Sequence, residues 1–333
     1  MMEEEVLSCL NRKDMKKVLR LDSPAKVNLR LEILKRREDG YHEIRTILQK
    51  ISLHDTLHFS LKKDKEISIK TDHPTLPTGR SNLVHRAADL IVERFGYNGG
   101  IHIKIQKRIP LGAGLGGGSS DAATTLKAMN QLLKLNLSQK KLMEMGLELG
   151  ADVPFFFLED SAIGSGIGER LKKIDLPTLW YVLIYPNFEV STRWAYQNFV
   201  LTRSTPLKPC DLGQGKSRCS GLTLSKPQNL LGVEGLTNQR IHCNLHKFLK
   251  TPEGISGILF NHLEEVVSRK YPQIGIMKKI LFSVGALGTL MTGSGPTVFG
   301  LFSERESASE AYKRIRTLIH KRRWIVFKAH SIP

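Results

Sequence analysis

The chain has 333 residues, 41% of them hydrophobic and 7% aromatic, which is enough for a full core and favours about two domains. Its 50 Lys and Arg against 32 Asp and Glu give a formal net charge of +18, so an anionic partner is expected: nucleic acid, an anionic membrane surface or polyphosphate substrates. Cys9, Cys210, Cys219 and Cys243 are too few and too irregular for a disulfide framework and fit a reducing cytoplasm, and no apolar stretch approaches the ~20 residues that span a bilayer.

Residues 1–20 mix Glu3, Glu4 and Glu5 with Arg12, Lys13, Lys16 and Lys17 and lack the apolar core of a signal peptide, so they read as a poorly ordered extension or a helical tail. From Ser23, the run Ala25, Val27, Leu29, Leu31 and Ile33 alternates with polar residues, predicting a half-buried strand with Lys26, Asn28 and Arg30 on its other face. Asp39-Gly40 marks a turn, and Tyr41-His42 opens a second strand through Ile44, Leu48 and Ile51, giving a hairpin. The spacing predicts a helix from Asn82 to Phe95 stopped by Gly96, then a strand through Ile101, Ile103 and Ile105 ending at Pro110. After the glycine cluster, Ser119-Ser120-Asp121 caps a helix to about Leu133, and Ser138 caps another that stops at Gly150.

The second half opens on an apolar strand, Trp180–Tyr185, and a short helical pattern after Ser191. Residues from about 203 to 250 are rich in Ser, Gly, Lys, Arg and Cys without periodicity, which reads as a basic, mobile surface insertion. Beyond it the expected elements are helices near 257–269 and 273–284, strands 287–291 and 297–302 around a Gly293-Ser294-Gly295 loop, a helix 304–318 and a strand 323–329. Cys210, Cys219, Cys243 and His246 lack a C-x-x-C pair, so no metal-ligating set is expected.

Chemistry concentrates in Pro110, Leu111, Gly112, Ala113, Gly114, Leu115, Gly116, Gly117, Gly118, Ser119 and Ser120. A run so rich in glycine between a strand and a helix lets backbone N–H groups approach phosphate oxygens at the helix N-terminus. A Walker A loop is excluded because no lysine follows Gly118. Gly112-x-Gly114-x-x-Gly117 does satisfy the dinucleotide fingerprint, which keeps an oxidoreductase open, although the region about 20 residues on offers no acid for a ribose. The protein-kinase signatures H-R-D and D-F-G do not occur.

The loop resembles the glycine motif of the GHMP small-molecule kinases. Five segments fall in the order found in the 4-diphosphocytidyl-2-C-methyl-D-erythritol kinases: S-P-A-K-V-N at 23–28, D-G-Y-H at 39–42, the loop through Ala123, G-A-D-V-P-F-F at 150–156 and G-S-G-P at 293–296. The resemblance covers roughly 21–200 and 252–330 and leaves the extension and the insertion aside. It implies an α/β (α+β), two-domain GHMP kinase fold: an ATP-binding N-terminal mixed-sheet domain over 21–170 and a C-terminal ferredoxin-like domain over 171–333, with the active site between them.

Read alone, Asp152 is a helix N-cap beside a proline and Lys26 a solvated strand lysine. The resemblance makes them the catalytic pair, Asp152 accepting the proton of the attacking hydroxyl and Lys26 supplying positive charge beside it. It implies that Asn28 shares the substrate, that Tyr41 and His42 read cytosine, and that Thr192 and Tyr196 form the opposite wall. Lys107 and Asn82 are implied at the nucleotide, with ATP and Mg2+ as cofactors and no protein cage for the metal. The expected reaction is phosphorylation of 4-diphosphocytidyl-2-C-methyl-D-erythritol by a cytoplasmic monomer or homodimer working on small molecules, without a membrane. A mevalonate- or homoserine-type kinase is the nearest alternative; RNA binding through the excess Lys and Arg is the other.

Overall fold

The computed structural model describes residues 18–200 and 258–332. The 203–250 insertion, the four cysteines with His246 and nearly all of the 1–20 extension lie outside the described residues. In chain order the first elements are β1 (Leu19–Arg36), β2 (His42–Lys62), β3 (Ile67–Thr71), α1 (Leu83–Phe95), β4 (Gly100–Gln106), α2 (Gly117–Leu132), α3 (Gln139–Leu149) and a 3-10 turn (Val153–Phe157). They are followed by β5 (Ser161–Ser165), β6 (Arg170–Ile174), β7 (Trp180–Tyr185), α4 (Thr192–Gln197) and β8 (Phe260–Asn261). The chain closes with α5 (His262–Lys270), α6 (Gln273–Ser283), β9 (Gly288–Met291), β10 (Val298–Phe302), α7 (Arg305–Leu318) and β11 (Ile325–His330).

The first sheet runs β3-β4-β2-β1-β8, with β5 added on β2 and β6 on β5. Helices α1, α2 and α3 cover it, burying Phe59, Ile91, Ile103, Met129 and Phe155 in one cluster. The second sheet runs β11-β7-β10-β9, all antiparallel, so the first of its strands in sequence lies between the fourth and the third. That is the ferredoxin-like order. Val27, Leu29 and Ile51 of the first sheet meet Tyr181, Leu183, Phe299 and Leu301 of the second in a further apolar cluster. At about 1.5–3 kcal/mol for each large side chain fully buried, this seam holds the sheets together.

The mixed α/β architecture is thus as expected, and the helix ends at Asn82, Gly96, Ser138, Gly150 and Ser191 fall where the caps predict. Four expectations change. The strand β1 is buried on both faces, with Lys26 and Asn28 each 4% exposed, because the Gly293 turn closes over its polar face. Strand β4 ends at Gln106 rather than Pro110, since Asp55 takes the N–H groups of Arg108 and Ile109 away from the ladder. The helix expected from 257 begins at His262, because Phe260 and Asn261 pair with β1 and Asn261 then caps it. Ser119, Ser120 and Asp121 lie inside α2, from its third residue on, instead of capping it.

The dinucleotide-binding alternative fails on topology. The strand feeding the glycine loop, β4, is antiparallel to β2, and only β3 beside it runs parallel, whereas a dinucleotide fold needs a mostly parallel sheet. The small elements β3, β5, β6 and β8 were not anticipated from the sequence; they are two to five residues long, too short to show a period.

Candidate active site

The segment from Pro110 bends into α2 through Gly112, Gly114 and Gly116, at φ +58°, +79° and +70°. A Cβ on Gly114 would lie 2.2 Å from the carbonyl oxygen of Thr292, so only glycine permits the bend to touch the turn between β9 and β10. Gly116 is the N-cap of α2 and contributes no side-chain hydrogen bond. The leading amides of α2 are therefore open at the positive end of a 16-residue helix, an arrangement suited to phosphate.

Beside this opening the Lys26 ammonium donates to Asn28 Oδ1 at 2.6 Å and pairs with Asp152 Oδ2 at 3.3 Å. The Lys26 backbone N–H donates to the carbonyl of Leu115, which ties β1 to the loop. Asn28 is fixed on three sides: its N–H donates to Thr292 Oγ1 at 3.0 Å, its Nδ2 to Thr46 Oγ1 at 2.7 Å, and its oxygen receives Lys26. Asp152 stands at the N-cap position of the 3-10 turn, yet its carboxylate makes no capping hydrogen bond and its side chain is 42% exposed. The carboxylate is held by Lys26 and open to the cavity, not spent on the backbone.

Lys107, expected at the nucleotide, lines the cavity but is a buried tie. Its ammonium, on a side chain 2% exposed, lies 2.5 Å from Asp55 Oδ2 and 2.7 Å from Asp121 Oδ2. Burial pushes the Asp121 carboxyl up to about 6, against the pull of Lys107, and its Oδ1 has no hydrogen-bond partner among the described residues. One ammonium cannot fully compensate two buried carboxylates. For Lys107 the opposing effect of burial is overcome by Asp121 and Asp55, which raise it. The cluster sits under the phosphate loop: a Cβ on Gly117 would be 3.2 Å from Lys107 Nζ.

The far wall joins two elements. His42 opens β2, and its ring lies 5.4 Å from that of Tyr196 on α4. Burial, then the charge of Arg36, lowers the His42 imidazole below the ordinary histidine value. The Tyr196 hydroxyl is pushed up by burial and by the Asp152 carboxylate. Thr192 shares a hydrogen bond of 2.7 Å with Ser294, joining α4 to the glycine turn at 293–295. That turn also reaches the centre, since a Cβ on Gly293 would be 3.0 Å from the Gly114 oxygen and 3.5 Å from Lys26 Nζ. Tyr41 is 61% exposed at the rim.

A cavity of about 940 Å³ brings together Lys26, Asn28, Tyr41, His42, Lys107, Pro110 through Ser119, Asp152, Thr192 and Tyr196. This is the upper end of the ~300–1,000 Å³ usual for small-molecule sites and leaves room for two substrates. Asn82 and Ser120 stand outside its lining: Asn82 caps α1 through Val84 N–H and donates to Pro77 O, and Ser120 accepts from Ser23 Oγ at 2.8 Å. Leu83, one residue on, is the wall residue there. Sequence reading missed Asp55, Asp121, Thr46 and Thr292 as supports of the site, because each acts across 14 residues or more and leaves no local pattern.

A curled mixed sheet, a ferredoxin-like partner and a glycine loop at an uncapped helix between them define a GHMP kinase. In agreement, the family model "GHMP kinases N terminal domain" matches residues 82–160 and "GHMP kinases C terminal" matches 248–321. Within that class the chain is 42% identical to a 4-diphosphocytidyl-2-C-methyl-D-erythritol kinase of Geobacter metallireducens, over 90% of this chain and 94% of the relative. It is 41% identical to the kinase of the same name from Syntrophus aciditrophicus, over 95% of this chain and 100% of the relative. A crystal structure of 4-(cytidine 5'-diphospho)-2C-methyl-D-erythritol kinase superposes with a TM-score of 0.70 at 32% identity, covering 95% of this chain and 100% of that one. The chain belongs to the 4-diphosphocytidyl-2-C-methyl-D-erythritol kinase family.

Proposed function

We propose that this protein transfers the γ-phosphoryl group of ATP to the 2-hydroxyl of 4-diphosphocytidyl-2-C-methyl-D-erythritol, a step of non-mevalonate isoprenoid precursor synthesis. The observation that carries the reading is the Lys26–Asp152 pair, standing between an open helix N-terminus and the His42–Tyr196 wall. The glycine loop holds the ATP phosphates through the amides of Gly117, Gly118 and Ser119. The His42 and Tyr196 rings, with Tyr41 at the rim, hold cytosine, and Thr192 completes that wall; base stacking of this kind contributes about 1–3 kcal/mol.

Asp152 accepts the proton of the 2-hydroxyl as its oxygen bonds to the γ-phosphorus and the bond to the bridging oxygen of ADP breaks. Lys26 offsets charge on the transferring group, and Asn28 fixes Lys26 and faces the substrate. Phosphoryl transfer asks for positioning and charge stabilisation more than covalent chemistry, so a base that only steers the hydroxyl suffices. Bound with ATP, magnesium would neutralise phosphate charge, and Ser119, the loop hydroxyl in the cavity lining, would be available to it.

In this reading the ATP-binding domain runs from residue 21 through β6, ending at Ile174 on the first sheet rather than at the expected 170, and the C-terminal domain follows to 333. The enzyme works in the cytoplasm on small molecules as a monomer or homodimer, and no described helix is long and apolar enough to cross a membrane. The test is coupled ADP release with the cytidyl substrate, mevalonate, homoserine and galactose, for the wild type and Asp152→Asn. Turnover is expected with the cytidyl substrate alone, and Asp152→Asn should lose about 10²–10⁴-fold in kcat with the KM for ATP retained. Turnover on a different acceptor, or an undiminished Asp152→Asn, would overturn the assignment.

A further inference from the structure

Four Lys or Arg side chains line the cavity: Lys26, Arg36, Lys107 and Arg193. Two are already neutralised, Lys26 by Asp152 and Lys107 by Asp55 and Asp121. The remaining acid of the lining, Asp39, is held by Arg37 at 2.7 Å. Arg36 and Arg193 have no carboxylate and no hydrogen-bond partner among the described residues.

Their placement is fixed from both sides of the far wall. Arg36 lies directly opposite His42 in the β1–β2 register, which puts the two side chains on one face with Cβ atoms about 4.5–5.5 Å apart. Arg193 precedes Tyr196 by three residues on α4, a spacing that brings side chains to one side of a helix. The His42 and Tyr196 rings are themselves in contact, so one arginine flanks the ring pair from the hairpin and the other from the helix.

Two unneutralised guanidinium groups at one end of a cavity call for an anion. The ATP phosphates have their own cradle at α2, whereas the diphosphate that joins the cytidyl group to the sugar alcohol needs a cationic partner of its own, and Lys26 and Lys107 are taken by carboxylates. Guanidinium forks fit phosphate oxygens in pairs, and such charge-assisted bonds are the stronger kind. We propose that Arg36 and Arg193 form a clamp for the diphosphate of the nucleotide-linked substrate and so select a cytidine diphosphate conjugate over a neutral cytidine derivative. The proposal rests on the kinase reading above.

The test is calorimetric binding of CDP and of cytidine to the full-length wild type, Arg36→Met, Arg193→Met, the double variant and the two Arg→Lys variants. Both arginines are exposed, so melting temperatures serve as a check that the variants fold. Each Met variant should weaken CDP about 10–100-fold, the cost of one hydrogen-bonded charge, and leave cytidine unchanged. The KM for the cytidyl substrate should rise in parallel while that for ATP stays, and the Lys variants should recover only part because a point charge replaces the fork. CDP binding that is unaffected, or weakened equally with cytidine, overturns the clamp. If the wild type binds neither CDP nor cytidine, the cytidyl substrate itself is lost and the clamp with it; tight CDP binding that ignores both arginines removes the clamp alone.

Discussion

Lys107→Met is the most informative single change, because the residue lines the cavity yet spends its charge on Asp55 and Asp121. Removing one partner of a buried ion pair costs about 3–5 kcal/mol. Part of that is recoverable: Asp121 stands at about 6 with Lys107 beside it and rises further once that pull is gone, so it takes up a proton at pH 7 for less than about 1.4 kcal/mol, whereas Asp55 keeps the N–H groups of Arg108 and Ile109. The net loss should sit near the lower end, about 3 kcal/mol. At ~2–4 °C per kcal/mol for a unit of this size, the melting temperature should fall by about 6–12 °C. The double variant Lys107→Met/Asp121→Asn should melt above the single one, since one of the stranded charges is gone. Acid should also narrow the gap to wild type: without the pull of Lys107 the Asp121 value stands above its wild-type value of about 6, so as pH falls toward that value the variant takes up a proton that wild type does not. Thermal unfolding at pH 7 and pH 5.5, with the KM for ATP beside it, checks all three. A melting temperature within about 2 °C of wild type, or a double variant no better than the single, would refute the buried-tie account.

Gly114→Ala should fail to fold or lose all nucleotide binding, since its Cβ would meet the Thr292 oxygen at 2.2 Å from a left-handed backbone; Gly118→Ala, whose Cβ meets only Leu83 at 3.7 Å, should melt as wild type, and any loss in its ATP affinity reads the approach of phosphate. Equal behaviour of the two glycines in melting would contradict this. Burial pushes the Lys50 ammonium, which donates to Leu158 O, down to about 8. The unfolded chain therefore binds more protons than the fold between about 8 and the ordinary ~10.4, and stability attributable to Lys50 rises with pH across that window. The melting temperature of wild type minus that of Lys50→Met should increase from pH 7.5 to pH 10; a constant difference would speak against it. His42 is held below the usual ~6.5 by burial and Arg36, so the KM for the cytidyl substrate should stay flat down to about pH 6.5 and climb only below it.

The amino-acid sequence alone carried the glycine loop, the order of the five motifs, most helix ends and the alternating strands, because each rests on neighbours within a few residues: a cap, a period of two, a backbone bend that only glycine adopts. It pointed to Lys26 and Asp152 only through resemblance, since an alternating lysine and an aspartate before Val-Pro have ordinary structural uses. What folding decided was company. Two residues 126 positions apart become an ion pair, Asp55 and Asp121 converge on Lys107, and Arg36 and Arg193 come to flank one pair of rings from different elements. Charge balance inside a cavity depends on which side chains meet there and how much water they lose, and neither quantity is a property of any short stretch of chain.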